Sequence, residues 1–581
     1  MIKRLGRFKK LLFLDLLVIL IITVPAYFRL LNNYYFSMHD DQHLARLFLL
    51  DKAIHQGYLY PRWVDTLGFN FGYPLFNFYP PLIYYTGEVF HLLGLSLIWS
   101  IKLTFILGFI IGAWGIFLYT KKLVGRLPAY LSATLYTFFF YHAVLIYVRG
   151  ALAEFFLLAI LPYFFLAFEN LKQKPNLKNS LWFAMVFALL ILTHPLIAFP
   201  TLLYLGFFFI FYTIQSKEKL RLAIVTLTGG ILGLALSAFY WLPSLFERQY
   251  TLVDSILTKE LANYKIHFIC PAQFWNSPWG YGGSILGCFD GFTFQLGKIH
   301  MALTLIAVVL SLFYLFKGKL SERLSYFYFY LFLLFFSLFM TTSYSSIIWD
   351  NLKYLWYLQF PWRFLTFAAF FISISGAYCI FFISDLAEKF TRLNIAIVLF
   401  FTLMTIFIYQ KYFIPQQYVY ANDKQLTSFE NIAWYVSRSS FEFSPQGIKT
   451  TKSETETTIP AITKESLNTQ PYTLVSGSAL VTSIKNKMAE KEWNIYSTDK
   501  TIFRFNNFNF PGWKAYIDSK EASIKDNNNF KLITVVLPKG SHDLKIIFED
   551  TPIRTTASII SFLAFILVSI HLWKLKKHMI R

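Results

Sequence analysis

Long apolar runs joined by short polar connections dominate this chain. A run of about 20 apolar residues is long enough to cross a bilayer as a helix. On that criterion the pattern predicts twelve spans, at 11–31, 97–120, 127–147, 152–170, 180–199, 200–215, 222–242, 299–316, 325–341, 362–383, 393–410 and 556–573. Basic residues then fall in alternate connections: Lys121, Lys122 and Arg126; Lys172, Lys174 and Lys178; Lys217, Lys219 and Arg221; and the tail residues Lys574, Lys576 and Lys577. All of these share one side with Lys3, Arg4 and Arg7, and Lys/Arg enrichment marks the cytoplasmic side. Residues 80–96, PPLIYYTGEVFHLLGLS, are apolar enough to be a thirteenth span, but counting them would reverse every later loop. They are expected to form an interfacial helix beside the aromatic-rich FNFGYPLFNFYPPLIYY. The expectation is a multi-pass plasma-membrane protein with both termini in the cytoplasm.

Between residues 411 and 553 the pattern changes. Polar sequence carries short alternating runs such as YTLVSGSALVTSI, TIFRFNNFNF, GWKAYID, FKLITVVL and HDLKIIFED, with PG, DNNN and PKG turn signals between the later ones. This predicts an extracytoplasmic β-sandwich. The expected fold class is therefore a polytopic α-helical membrane protein with a C-terminal β-domain. Its parts are a transmembrane domain at 1–410 containing a long external loop at 32–96, the β-domain at 411–553, and a final span with a basic tail at 554–581.

Composition agrees with the membrane reading: 56% of residues are hydrophobic, 20% aromatic and only 15% charged, and the mean hydropathy is +0.48. The net charge of +21 resides largely in the short loops, which argues for topology signals and against a nucleic-acid surface. Three cysteines exclude a disulfide scaffold; Cys270 and Cys288 share one external loop and can pair, and Cys379 lies in an apolar run.

The candidate chemistry gathers on the predicted external side. The stretch YYFSMHDDQHLARLF puts Asp40 and Asp41 just outside the first span. YVRGALAE puts Arg149 and Glu154 between the third and fourth, LTHPL puts His194 at the end of the fifth, QFPWRF puts Arg363 at the start of the tenth, and YPRW adds Arg62. A carboxylate can act as general base toward an acceptor hydroxyl. Arginine offers a planar, permanently charged fork for phosphate. Each residue also permits a plainer role: Asp40 as a helix N-cap, Arg149 and Glu154 as a mutual pair, Arg62 and Arg363 as headgroup anchors. His39, Asp40 and His43 have the spacing of a ligand set if a helix begins there, and His194 and His43 are candidate substrate contacts.

The layout resembles the GT-C superfamily of polyprenyl-phosphate-dependent glycosyltransferases. Those proteins open their first external loop with an acidic motif and a helix, as HDDQHLARLFLLDKAIHQGYLYPRW does, and carry a second acid after the third span, as RGALAE does. More narrowly, GYPLFNFYPPLIYY, YVRGALAE, FPWRF and FNFPGWKAYIDSKEA resemble a bacterial membrane family labelled "6-pyruvoyl-tetrahydropterin synthase-related", whose relatives include glycosyltransferases of lipoteichoic acid. The pterin chemistry in that label needs a soluble barrel with a His-rich zinc site, and the sequence has neither. The resemblance implies Asp40 as catalytic base with Asp41 as its competitor, Glu154 as a second acid that orients the acceptor or helps to hold a metal, and Arg149 and Arg363 facing the donor phosphate. It also allows a divalent cation (Mg or Mn), although neither loop has an Asp-x-Asp motif.

The resulting expectation is an inverting membrane glycosyltransferase. It would move a sugar from a polyprenyl-phosphate donor to an extracytoplasmic lipid, cell-wall polymer, glycan or protein, with the bilayer and no nucleic acid as partner. Two other classes remain open. A lipid or glycan transporter or flippase should show broken helices. A non-catalytic scaffold displaying the β-domain should tolerate loss of the acids and arginines.

Overall fold

The computed structural model describes residues 2–318, 321–386, 391–453, 457–467 and 469–580. Ten helices among these residues are long and apolar enough to cross a membrane. An eleventh candidate is the pair Arg126–Thr137 and Phe140–Val148, bent by 43°. The remaining expected span is the apolar helix Leu177–Thr193, 17 residues long. It stops at His194 because Pro195 has no amide to continue the ladder and instead opens the next helix, Pro195–Gln215. Residues 80–96 contain only an 11-residue helix, Leu82–Leu92, too short to span.

The chain divides into two compact units, each discontinuous in sequence. The first comprises residues 1–40, 102–234 and 263–420. It contains most of the apolar helices. Gly229 and Gly233 let one helix approach another closely: a Cβ at either would lie 2.9 Å from the carbonyl oxygen of Ser180 or Ala184. Asp15, fully buried in the first span, is neutralised by Lys121 at 2.7 Å and Arg126 at 2.5 Å. An acid inside an apolar helix is thus answered by the basic loop that follows the next one. Within the same unit Cys270 and Cys288 form a disulfide, and Cys379 is a buried free thiol.

The second unit comprises residues 41–101, 235–262 and 421–581. Its β-region has a five-stranded antiparallel sheet in the order Lys520–Ala522, Trp513–Ile517, Gly540–Phe548, Glu490–Ser497, Ala479–Lys487. A three-stranded sheet runs Leu532–Leu537, Thr501–Phe508, Tyr472–Ser476. Trp493 and Trp513 of the first sheet meet Phe503 and Phe505 of the second at ring separations of 5.2 to 5.8 Å, which makes the pair a sandwich. The strand Glu490–Ser497 escapes the sequence pattern because Glu490, Lys491 and Glu492 mask its alternation. Residues of the expected first external loop pack on this sandwich: Trp63 lies 5.4 Å from Trp513, and the Phe508 amide donates to the Phe71 carbonyl.

Candidate active site

The first unit gathers a buried ionic cluster around Glu154. This residue lies in the first turn of the helix Leu152–Gln173, where the helix dipole favours an anion. One of its oxygens, Oε2, accepts from Arg149 Nη1 at 2.8 Å and from Arg363 Nε at 3.2 Å. The other, Oε1, accepts from the Tyr141 hydroxyl. All four side chains are almost wholly buried. Two guanidinium cations therefore share one carboxylate, and a buried charge without a partner costs several kcal/mol, on the order of the penalty for a desolvated ion.

Local backbone geometry explains how these residues come together. A π-helical turn over Val144–Val148 ends at Arg149, whose amide donates to Val144. Gly150 follows with φ of +65°, a conformation that favours glycine, and a Cβ there would lie 2.3 Å from Met38 Sδ. That close approach seats the 37–40 segment: the His39 amide donates to Val148 O at 3.0 Å and the Asp40 amide to Arg149 O at 2.8 Å. Arg363 is held from its own side. Its Nη1 donates to Leu358 O at 2.8 Å and to Gln359 Oε1 at 3.2 Å, and Gln359 takes a φ of +62° to present both. Phe360 and Trp362 stack at 4.6 Å, and the Arg149 guanidinium lies 4.5 Å above the Trp362 ring.

The sequence candidates separate between the units. Asp40, Arg149, Glu154, His194, Arg363 and His39 belong to the first. Asp40 acts electrostatically on both Arg149 and Arg363. His194 caps the helix Pro195–Gln215, its Nδ1 accepting from the Ile197 amide at 3.3 Å, and it lies within electrostatic reach of Glu154 and both arginines. Asp41, His43 and Arg62 belong to the second unit. The Asp41 carboxyl is pushed up to about 6 by desolvation from surrounding protein, although the residue keeps an open surface. His43 is buried with its Nδ1 3.0 Å from the Tyr84 hydroxyl.

Arg62, expected to face a donor phosphate, sits instead in a polar network of its own. It contacts Asn77 at 3.2 Å, the Phe239 carbonyl at 2.9 Å and Asp550 at 3.3 Å. The adjoining carboxylate of Glu247 accepts from Asn77 at 2.8 Å and from Arg554 at 2.9 Å. The expected ligand set of His39, Asp40 and His43 is also corrected. The helix begins only at His43, so helical spacing does not apply to residues 39–42, and His43 is turned to Tyr84. Among the described residues no group of three His, Cys, Asp or Glu is placed to hold a metal ion. His39, Asp40 and His43 do not fit a divalent cation. Sequence reasoning missed Tyr141, Gln359 and Trp362; the last two stand inside QFPWRF beside Arg363, whereas nothing local marks Tyr141.

Fold and site define a polytopic membrane protein with a buried carboxylate–arginine cluster. The chain belongs to the membrane-protein family described as 6-pyruvoyl-tetrahydropterin synthase related domain, whose profile matches residues 76–413. No curated protein matches the sequence. Solved structures with partial likeness include the oligosaccharyltransferase of Archaeoglobus fulgidus in the apo form, at 13% identity and a TM-score of 0.39 over 70% of this chain and 56% of that one. Another is AglB of the same organism in complex with an inhibitory peptide and a dolichol-phosphate, at 15% identity and a TM-score of 0.42 over 72% and 56%. The chain thus spans little more than half the length of those enzymes.

Proposed function

We propose that this protein is an inverting membrane glycosyltransferase that uses a polyprenyl-phosphate sugar and acts on the extracytoplasmic side. The supporting observation is the junction of Asp40 with Arg149: the amide of the candidate base is bonded to the carbonyl of an arginine that shares Glu154 with Arg363. In this reading an acceptor hydroxyl attacks the anomeric carbon and passes its proton to Asp40. The bond from that carbon to the phosphate oxygen breaks, and polyprenyl phosphate leaves with its charge met by Arg149 and Arg363. Arg149 commits only Nη1 to Glu154, so further donors of its fork serve the phosphate. Glu154 is the anchor that aims the two arginines, which replaces the roles expected for it at the acceptor or on a metal.

The test compares wild type, Asp40→Asn and Asp41→Asn in vesicles supplied with a panel of polyprenyl-phosphate sugars, following release of polyprenyl phosphate. Turnover lost only in Asp40→Asn supports the reading. Loss only in Asp41→Asn transfers the base to that residue, and equal turnover in all three removes both acids from the mechanism. The broken helix pair at Thr137–Phe140 favours one second reading, a lipid flippase. Lipid scrambling in the same vesicles without turnover would select it.

A further inference from the structure

The segment from Cys270 to Gly291 is closed on itself at three places. The disulfide joins Cys270 to Cys288, 18 residues apart. At the neck Gly282 N donates to Gly291 O at 2.9 Å, and Gly291 N donates to Gly283 O at 2.8 Å. Only glycine permits this approach, because a Cβ at Gly280 would lie 2.3 Å from Gly291 O and one at Gly291 would lie 2.6 Å from Gly282 Cα. Asp290 makes the third closure, accepting from Gln273 Nε2 at 2.8 Å and from the Ile285 amide at 2.9 Å. A cross-link of this kind removes conformations from the loop and leaves a defined surface.

Two contacts run from this closed loop to the ionic cluster of the same unit. The Tyr281 carbonyl lies 2.8 Å from His39 Nε2, and Ser284 Oγ lies 3.3 Å from Trp362 Nε1. Tyr281 is pinned in turn by its hydroxyl, which donates to Ile414 O at 2.9 Å. His39 immediately precedes Asp40. The main chain of both is already held by Val148 and Arg149, and the His39 imidazole ties the same segment to the loop. The second contact braces the indole on which Arg149 rests.

We infer that His39 is a positioning residue for Asp40 and that the disulfide-closed loop sets it through the Tyr281 carbonyl. This rests on the reading of Asp40 as the base. A carbonyl only accepts, so the bond requires hydrogen on Nε2. Displacing a base by about 1 Å can cost up to 10²-fold in rate. Through His39 the loop therefore acts on the chemical step, and its separate contact through Ser284 and Trp362 supports Arg149.

The experiment uses the full chain in vesicles. His39→Ala is expected to lower kcat about 10-fold at unchanged donor KM, within the range for a misplaced base. His39→Gln keeps a nitrogen donor of similar reach and should restore most of the loss. Cys270→Ser/Cys288→Ser, or wild type treated with a phosphine reductant, should show the same loss of kcat, whatever donor KM does as Trp362 loses its brace, and adding His39→Ala should lower kcat no further, as expected for one shared tether. Additive losses, or a glutamine variant as slow as the alanine one, overturn the inference. Hydrogen exchange of residues 35–42 gives a readout independent of turnover. It should rise in His39→Ala and in the reduced protein; unchanged exchange overturns the tether. Raised exchange in a protein that turns over no donor would leave the tether standing and defeat only the glycosyltransferase reading.

Discussion

Arg363 and Glu154 are separated by 209 positions in the chain, yet Nε of the arginine lies 3.2 Å from Oε2 of the glutamate, deep in the protein. The same oxygen receives Arg149. A carboxylate shared in this way aligns two cations that would otherwise repel.

Removing that carboxylate should therefore uncover two buried positive charges. Glu154→Ala is expected to cost about 3–5 kcal/mol, the usual penalty for breaking a buried ion pair from one side. Thermal unfolding in detergent measures it. A melting temperature within error of wild type would contradict the anchoring role. Arg363→Lys should be milder in stability, but it replaces a planar fork by a point charge, so donor KM should rise about tenfold or more.

Gly150 has to combine a left-handed φ with the close approach of Met38. Gly150→Ala is expected to cost about 1–3 kcal/mol, from strain at a positive φ and displacement of Met38. It should also depress turnover, because the 37–40 segment moves with Met38. Adding Met38→Ala relieves the clash but not the backbone strain, so it should recover only part of both losses. Full recovery, or none, would show that the local geometry acts otherwise.

Glu88 lies on the short helix Leu82–Leu92, buried, and among the described residues neither carboxylate oxygen has a hydrogen-bond donor. Desolvation, reinforced by Asp51, pushes its carboxyl up to about 7; His91 and His55 oppose the rise. The folded protein thus holds this proton more tightly than the unfolded chain. The associated stability is fully present below the ordinary value near 4.5 and is lost as pH rises through about 7. Melting temperatures taken from pH 5 to 8 should fall more steeply for wild type than for Glu88→Gln. Parallel curves would remove Glu88 as the cause.

Glu247 and Arg554 form a second buried pair, 2.9 Å apart, in the other unit. Breaking it with Arg554→Met should cost about 3–5 kcal/mol, whereas replacing both partners by apolar residues should cost much less. A double variant as unstable as the sum of its singles would refute this, since nothing charged would remain unpaired.

The sequence by itself determined the parts that depend on local chemistry. Apolar length set most of the spans, because a helix that satisfies its own backbone is the simplest way to cross a bilayer. Residues 80–96 were apolar enough to span, and only the charge of the later loops set them aside; the structure then gives an 11-residue helix there, Leu82–Leu92. Alternation marked most strands of the sandwich, and failed where charged residues cover Glu490–Ser497 and in the three-residue edge strand Lys520–Ala522. The residue types of the candidate site, Asp40, Arg149, Glu154 and Arg363, were also legible, since ions at the ends of apolar runs need a reason to be there. Tertiary structure decided their partners. No spacing says that Tyr141 would cap Glu154, that Trp362 would carry Arg149, or that Tyr281 would hold His39. Nor could periodicity foresee that the helix starts at His43 and not at Asp40, which dissolved the expected ligand set, or that Arg62 would turn to Asn77 and Asp550. Such choices rest on contacts between residues far apart in the chain, where the cost of an unpaired buried charge selects the arrangement.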